Sequence, residues 1–94
     1  MNKYELSLVI TANIDEQART AEIEKIHELI TKFGGTIDKF DDWGRRRLAY
    51  PIKKQSDAFY SFTYFSAPAE APAELEQRLR IIEPVLRFLI VRPE

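Results

Sequence analysis

The hydrophobic period of this chain changes from two residues to 3.6 and back again, twice, within 94 residues. Few folds accommodate that ordered switching. Residues 4–10 alternate Tyr4, Leu6, Leu8 and Ile10 against Glu5, Ser7 and Val9, the pattern of a half-buried strand. Asp15 is placed to cap a helix over residues 16–33, where Ile23, Ile26, Ile30 and Phe33 share one face at three- and four-residue spacing. Gly34-Gly35 supplies the positive φ that ends the helix. A second strand begins at 36–41, bends at a bulge expected at Gly44, and continues with Leu48, Tyr50 and Ile52 on one face. Pro51 has no N–H to donate, so this strand is expected at a sheet edge. KKQSD over 53–57 reads as a hairpin turn, and AFYSFTYFS over 58–66, dense in aromatics, as a third strand. APAEAPAELEQRLRII opens a second helix with Pro72 in its first turn and Leu75, Leu79 and Ile82 as its apolar stripe. Pro84 stops that helix, and VLRFLIV from residue 85 supplies a fourth strand.

The order β-α-β-β-α-β, closed by short right-handed crossovers, predicts an α+β fold: a four-stranded antiparallel sheet with both helices on one face. The first and third strands are then central and the second and fourth are edges, which puts Pro51 where its chemistry requires. No repeat, low-complexity segment or linker divides the chain, so residues 1–94 are expected to form a single domain. The expected core is Leu6, Leu8, Ile10, Ile26, Ile30, Leu48, Leu75, Leu79, Phe88 and Ile90.

Several chemistries are unsupported. Cysteine is absent and histidine occurs once, at His27 beside the apolar stripe of the first helix. A thiolate or multi-histidine metal site is therefore excluded, and His27 reads as a surface or boundary helix residue. Asp41 and Asp42 are adjacent in a strand and point to opposite faces, so they cannot flank one scissile bond. The three glycines form no phosphate-cradling loop. No enzyme activity and no cofactor are expected. The apolar runs are too short for a transmembrane helix, and MNKYELSLVI lacks the layout of a signal peptide, so a cytoplasmic protein is expected.

The formal net charge of −1 conceals two unlike halves. Residues 1–42 hold five basic and nine acidic groups, a balance of −4; residues 43–94 hold nine and six, a balance of +3. Such asymmetry hints at an anionic partner. It centres on WGRRRLAYPIKK, where Arg45, Arg46 and Arg47 stand in succession on an edge strand. One reading is that these charges prevent edge-to-edge aggregation. The other is phosphate contact, for which arginine's planar, bidentate fork is suited. Alternation sends Arg45 and Arg47 one way and Arg46 the other. The third strand carries Tyr60, Phe62 and Tyr64 on one face and Phe59, Ser61, Thr63 and Phe65 on the other. A sheet covered on one side should alternate apolar with polar. The aromatic surplus is explained either by cross-strand pairing or by a surface for a protein or for unstacked RNA bases.

GRRRLAYPIKK resembles the GxRRLAYPI-K signature of the bacterial small-subunit ribosomal protein family numbered six. The opening MNKYELSLVI, the FGG-TIDKFDDWG approach and the ending RIIEPVLRFLIV are similar to that family too, over essentially the whole chain. The resemblance implies a ferredoxin-like domain in the central domain of the small ribosomal subunit. It also implies binding to small-subunit ribosomal RNA together with the ribosomal protein numbered eighteen, as a heterodimer. Carried over by position, Arg45, Arg46, Arg47 and Tyr50 stand in the signature, Lys3 stands among the N-terminal basic positions, and Arg80 and Arg87 match basic positions around the start of the fourth strand. RNA contact is thus expected at Lys3, Arg45, Arg46, Arg47, Arg80 and Arg87, and a protein-partner surface at Tyr50, Tyr60, Phe62 and Tyr64. The chain departs from the pattern in ending at Arg92-Pro93-Glu94, where many members continue, and in having one N-terminal lysine where some have paired arginines.

Two other classes fit less well. A recognition-motif-type binder of single-stranded RNA would stack bases on its first strand, but Glu5, Ser7 and Val9 offer no ring. A small acyl-phosphate hydrolase would need a phosphate-cradling loop before the first helix, and TANIDEQ contains neither glycine nor arginine.

Overall fold

A computed structural model describes residues 1–52 and 54–92. Along the chain run β1 (Asn2–Thr11), α1 (Glu16–Lys32), β2 (Thr36–Ile52), β3 (Gln55–Ala67), α2 (Ala71–Leu79) and β4 (Val85–Val91). The strands form one sheet in the order β2-β3-β1-β4, every neighbouring pair antiparallel. This is the expected ferredoxin-like α+β arrangement, with β2 and β4 at the edges.

Local chemistry sets the element ends. The Asp15 carboxylate accepts from the Ala18 N–H at 2.7 Å, capping one of the orphan donors of α1. At the other end Gly34 N–H donates to the Thr31 carbonyl and Gly35 N–H to the Ile30 carbonyl, the paired bonds of a Schellman motif. Only Gly34 takes the positive φ, at +89°. Gly35 serves a different need: a Cβ there would sit 2.7 Å from Ile30 Cγ2 and 2.9 Å from the Ile30 carbonyl oxygen. The glycine pair therefore combines one turn and one close approach. Pro72 lies in the first turn of α2, where its missing N–H costs nothing.

The core lies between the sheet and the helices. Tyr4, Leu6, Leu8 and Ile10 of β1 meet Ile23, Ile26 and Ile30 of α1, Phe65 of β3, and Leu75 and Leu79 of α2. Phe88 and Ile90 pack against this cluster half-buried, and Phe33 joins it from the end of α1. Leu6 pairs with Thr63 and Ser7 with Phe62; a slip of one residue would send the β1 leucines to the other face.

Three expectations change. The second helix ends at Leu79 and not at Pro84, so Ile82 reaches the core from the turn beyond α2 and not from a helical stripe. Leu48 is buried, but with Val9 and Ala58 in a second, smaller cluster against which Ile52, Tyr60 and Leu86 pack. Val9 and Tyr60 face away from the helices, so Leu48 belongs to the uncovered side of the sheet. The hairpin turn is also tighter than the stretch 53–57. Ile52 pairs with Gln55, so β3 begins three residues earlier than its aromatics suggest, and Lys54 takes φ +66°. Residue 53, part of the expected turn, lies outside the described residues.

Candidate nucleic-acid interface

The uncovered face of the sheet is shaped by unequal strand lengths. β1 pairs with β3 from Asn2↔Ala67 to Thr11↔Ala58. The β2–β3 ladder continues to Ile52↔Gln55, so the end of this hairpin projects beyond the sheet. A bulge between Asp42 and Gly44 precedes the projection, with Gly44 at φ +71° and its N–H donating to the Asp42 carboxylate at 2.9 Å. Further irregularities lie between Ile37 and Lys39 and between Arg47 and Ile52. Bulges bend and twist a strand, and here the bent hairpin folds over the uncovered face. Leu48 and Ile52 settle near Val9 and Leu86. Beyond them Tyr50, from one edge strand, accepts a 2.8 Å hydrogen bond from Arg87 Nη1 of the other.

The three arginines meet different fates. Arg46 pairs with Ala58 on the uncovered side; its Nε donates to the Trp43 carbonyl at 3.1 Å and its guanidinium lies 5.8 Å from the Trp43 ring centroid. Arg45 pairs with Phe59 on the helix side, where its Nη2 meets the Asp57 carboxylate at 3.1 Å. Part of its charge is thus offset locally. Arg47, opposite Asp57, is exposed on that same side. Arg87 pairs with Val9 and so stands on the uncovered face. The Tyr50 hydroxyl raises its pKa above the ordinary arginine value, holding the guanidinium charged.

The remaining expected contacts lie apart. Lys3 alternates onto the uncovered face but pairs with Ser66, at the far end of β1 from Val9. Six residues of strand separate them, roughly 20 Å. Arg80 is exposed at the C-cap of α2, in the helix layer. Arg87, Tyr50 and Tyr60 therefore lie together, Arg46 stands beside Trp43 at the β2 edge of the same face, and Lys3 and Arg80 join neither group.

Tyr60, Phe62 and Tyr64 all occupy the uncovered face, each half-buried. Phe62 lies beneath Trp43, ring centroids 4.8 Å apart at 60°. Tyr64 lies beneath Lys39, whose ammonium is 5.8 Å from the ring centroid. Partial desolvation, aided by the charges of Glu5 and Asp41, raises the Tyr64 pKa and keeps the phenol protonated. Towards the β4 edge the same face is aliphatic: Leu89, 59% exposed, and Val91 flank Ser7 and Glu5 of β1.

Two features escaped the sequence reading. Arg19 is only 7% exposed on α1, where it ties the helix to β2. Its Nη1 meets the Asp42 carboxylate at 2.8 Å, and its guanidinium sits 4.4 Å from the Phe59 ring centroid. Burial pushes the Asp42 pKa up, but the Arg19 hydrogen bond, the Gly44 N–H and the Arg19 charge together bring it below the ordinary value. The signal was present in the spacing of Arg19, Ile23, Ile26 and Ile30 on one helical stripe. Trp43, 52% exposed, is the other omission. His27 is the boundary residue expected: its ring meets Phe40 edge-on at 5.1 Å and its Nε2 lies 3.0 Å from Thr63 Oγ1. Burial lowers its pKa, against a smaller opposing effect of Glu24. Among the described residues no helix is long and apolar enough to cross a membrane.

Comparison with known proteins matches residues 3–92 to the family model described as ribosomal protein S6. The small ribosomal subunit protein bS6 of Clostridium novyi (strain NT) is 44% identical over 94 residues, covering all of this chain and 99% of the relative. That of Pseudarthrobacter chlorophenolicus is 43% identical, covering all of this chain and 93% of the relative. The crystal structure of 30S ribosomal protein S6 from Thermotoga maritima superposes with a TM-score of 0.94 at 30% identity, over 98% of this chain and 87% of that one.

Proposed function

The chain belongs to the ribosomal protein S6 family, and from that premise we propose that it binds the central domain of small-subunit ribosomal RNA jointly with a second protein. The family is structural and non-enzymatic, so its work is contact and assembly. The proposed partner is the ribosomal protein numbered eighteen, bound as a heterodimer, in the ribosome of a bacterial cytoplasm.

The observation that carries this reading is the hairpin folded across the uncovered face, which ties Tyr50 to Arg87 of the opposite edge and leaves Arg46 beside Trp43 on the same face. Two arginines in a fixed setting can hold phosphate oxygens with planar geometry. A chain of net charge −1 has too little overall field to hold an RNA backbone tightly alone, because its acidic half repels the same ligand. A basic partner seated on the apolar part of this face, from Tyr50 and Tyr60 towards Leu89 and Val91, supplies the missing charge and fixes the orientation. Phe62 and Tyr64, covered by Trp43 and Lys39, support that surface more than they touch the partner.

Sedimentation of tagged chain from a bacterial lysate tests the reading. The wild type should migrate with small subunits. Arg46→Gln with Arg87→Gln should fold normally, exposed changes costing under about half a kcal/mol each. Its incorporation should weaken, and the log-log salt slope should flatten by roughly one unit for each phosphate no longer neutralised. Incorporation and slope both unchanged would overturn the assignment of these arginines.

A further inference from the structure

We infer that Trp43 is a stacking platform for an unpaired RNA base at the β2 edge of the uncovered face, and that the aliphatic β4 edge is reserved for protein. The inference rests on the RNA-binding reading above and divides its surface in two.

Trp43 is a large ring left half in water beside the bulge at Gly44, and a Cβ built on that glycine would meet nothing within 4 Å. Exposure of this size is unusual for tryptophan, whose burial contributes more than that of most side chains. The ring is nevertheless held in place. Phe62 supports it at 4.8 Å, and Arg46 is tied to the Trp43 carbonyl with its guanidinium near the ring. A positioned aromatic surface with an adjacent arginine suits a nucleobase and its phosphate: the base stacks on the indole while the guanidinium meets the backbone. Sequence-tolerant stacking of this kind needs no hydrogen-bond readout.

The opposite edge has different chemistry. Leu89 and Val91 are exposed and aliphatic, with no ring beside them on β4 except Phe88, which turns to the core. β2 and β4 stand three strand spacings apart, about 14 Å. Flat, cation-flanked aromatic surface and aliphatic surface are thus separated across one sheet, with Glu5 and Ser7 between them. Each edge carries a cation, Arg46 beside Trp43 and Arg87 tied to Tyr50, so the division rests on the aromatic surface at Trp43 and the aliphatic surface at Leu89 and Val91.

The test compares Trp43→Phe with Trp43→Leu in the full chain. Dissociation of a labelled fragment of the RNA central domain is measured with the partner saturating, and dissociation of the partner is measured without RNA. Stacking predicts that Trp43→Leu weakens RNA binding about ten-fold or more, that Trp43→Phe restores most of it, and that neither moves partner binding. Leu89→Ser should weaken partner binding directly. Equal RNA affinity for the two Trp43 variants would overturn the inference, as would weakening confined to partner binding, which would make Trp43 a protein contact. The glutamine variants of Arg46 and Arg87 separate the two levels. If they lower RNA affinity while Trp43→Leu does not, only the stacking inference fails. If neither set lowers it, the RNA-binding reading fails with it.

Discussion

Removing the Asp42 carboxylate isolates the one charged side chain that is buried among the described residues, Arg19. Arg19 is 7% exposed and held by Asp42 at 2.8 Å, with Glu16 more distant at 3.7 Å. Breaking a fully buried pair by deleting one partner costs about 3–5 kcal/mol, because the remaining charge is uncompensated. Here the Asp42 side chain is 38% exposed, so water reaches the pair and Glu16 can partly replace the missing carboxylate. Asp42→Ala should therefore cost about 1.5–3 kcal/mol. Arg19→Met removes the buried charge itself, keeps much of the packing against Phe59 and leaves Asp42 beside water. It should cost about 1 kcal/mol or less, since hydrophobic replacement of buried ions is often near neutral. The double variant should resemble Arg19→Met, which requires a coupling energy equal to the Asp42→Ala cost, about 1.5–3 kcal/mol. Urea unfolding of the four proteins measures the cycle, with unchanged m-values confirming a shared unfolded reference. Additive losses, or an Asp42→Ala cost below about half a kcal/mol, would refute the claim that this pair ties α1 to β2.

Leu79 is fully buried between α2 and the sheet, and Leu79→Ala should cost about 2–5 kcal/mol in the same assay; a cost under half a kcal/mol would contradict its place in the core. Burial lowers the His27 pKa from 6.5, so the unfolded chain takes up the proton first and stability should fall as pH drops below about 6.5, before most carboxylates titrate. His27→Gln should flatten that limb of the stability–pH curve, and an unaltered limb would place its origin elsewhere. Replacing Arg45, Arg46 and Arg47 together by glutamine separates the two readings of the arginine run. Reduced assembly at unchanged solubility supports RNA contact, whereas unchanged assembly with new self-association supports edge protection alone.

The element order was legible because hydrophobic period and punctuation largely agree: Asp15, Gly34 and Pro72 each mark an observed boundary or first turn, whereas α2 ends at Leu79, before the expected stop at Pro84. Three particulars were not legible, for physical reasons. Gly35 matters through its approach to Ile30, a contact that no φ-based argument reveals. Leu48 keeps the predicted alternation, yet the hairpin bends after leaving the sheet, so its burial is with Val9 and not in the main core. Gln55, Ser56 and Asp57 continue a strand despite their polarity because the projecting ladder needs only backbone pairing there. Of the candidate site, the alternation of Arg45, Arg46 and Arg47 was readable, and so was the face of Tyr60, Phe62 and Tyr64. The meeting of Tyr50 with Arg87 across a whole sheet was not, since it depends on curvature created by the irregularities in β2.

Joint recognition of RNA by this chain and its partner is tested most directly by a coupled titration. The central-domain RNA fragment is titrated with this chain alone, with the partner alone and with both, and partner binding is measured with and without RNA. Linkage requires the partner to tighten RNA binding and RNA to tighten partner binding by one common factor, expected between about 5- and 150-fold. A factor near one, or tight and specific RNA binding by this chain alone, would contradict the proposal that the uncovered face serves both ligands together.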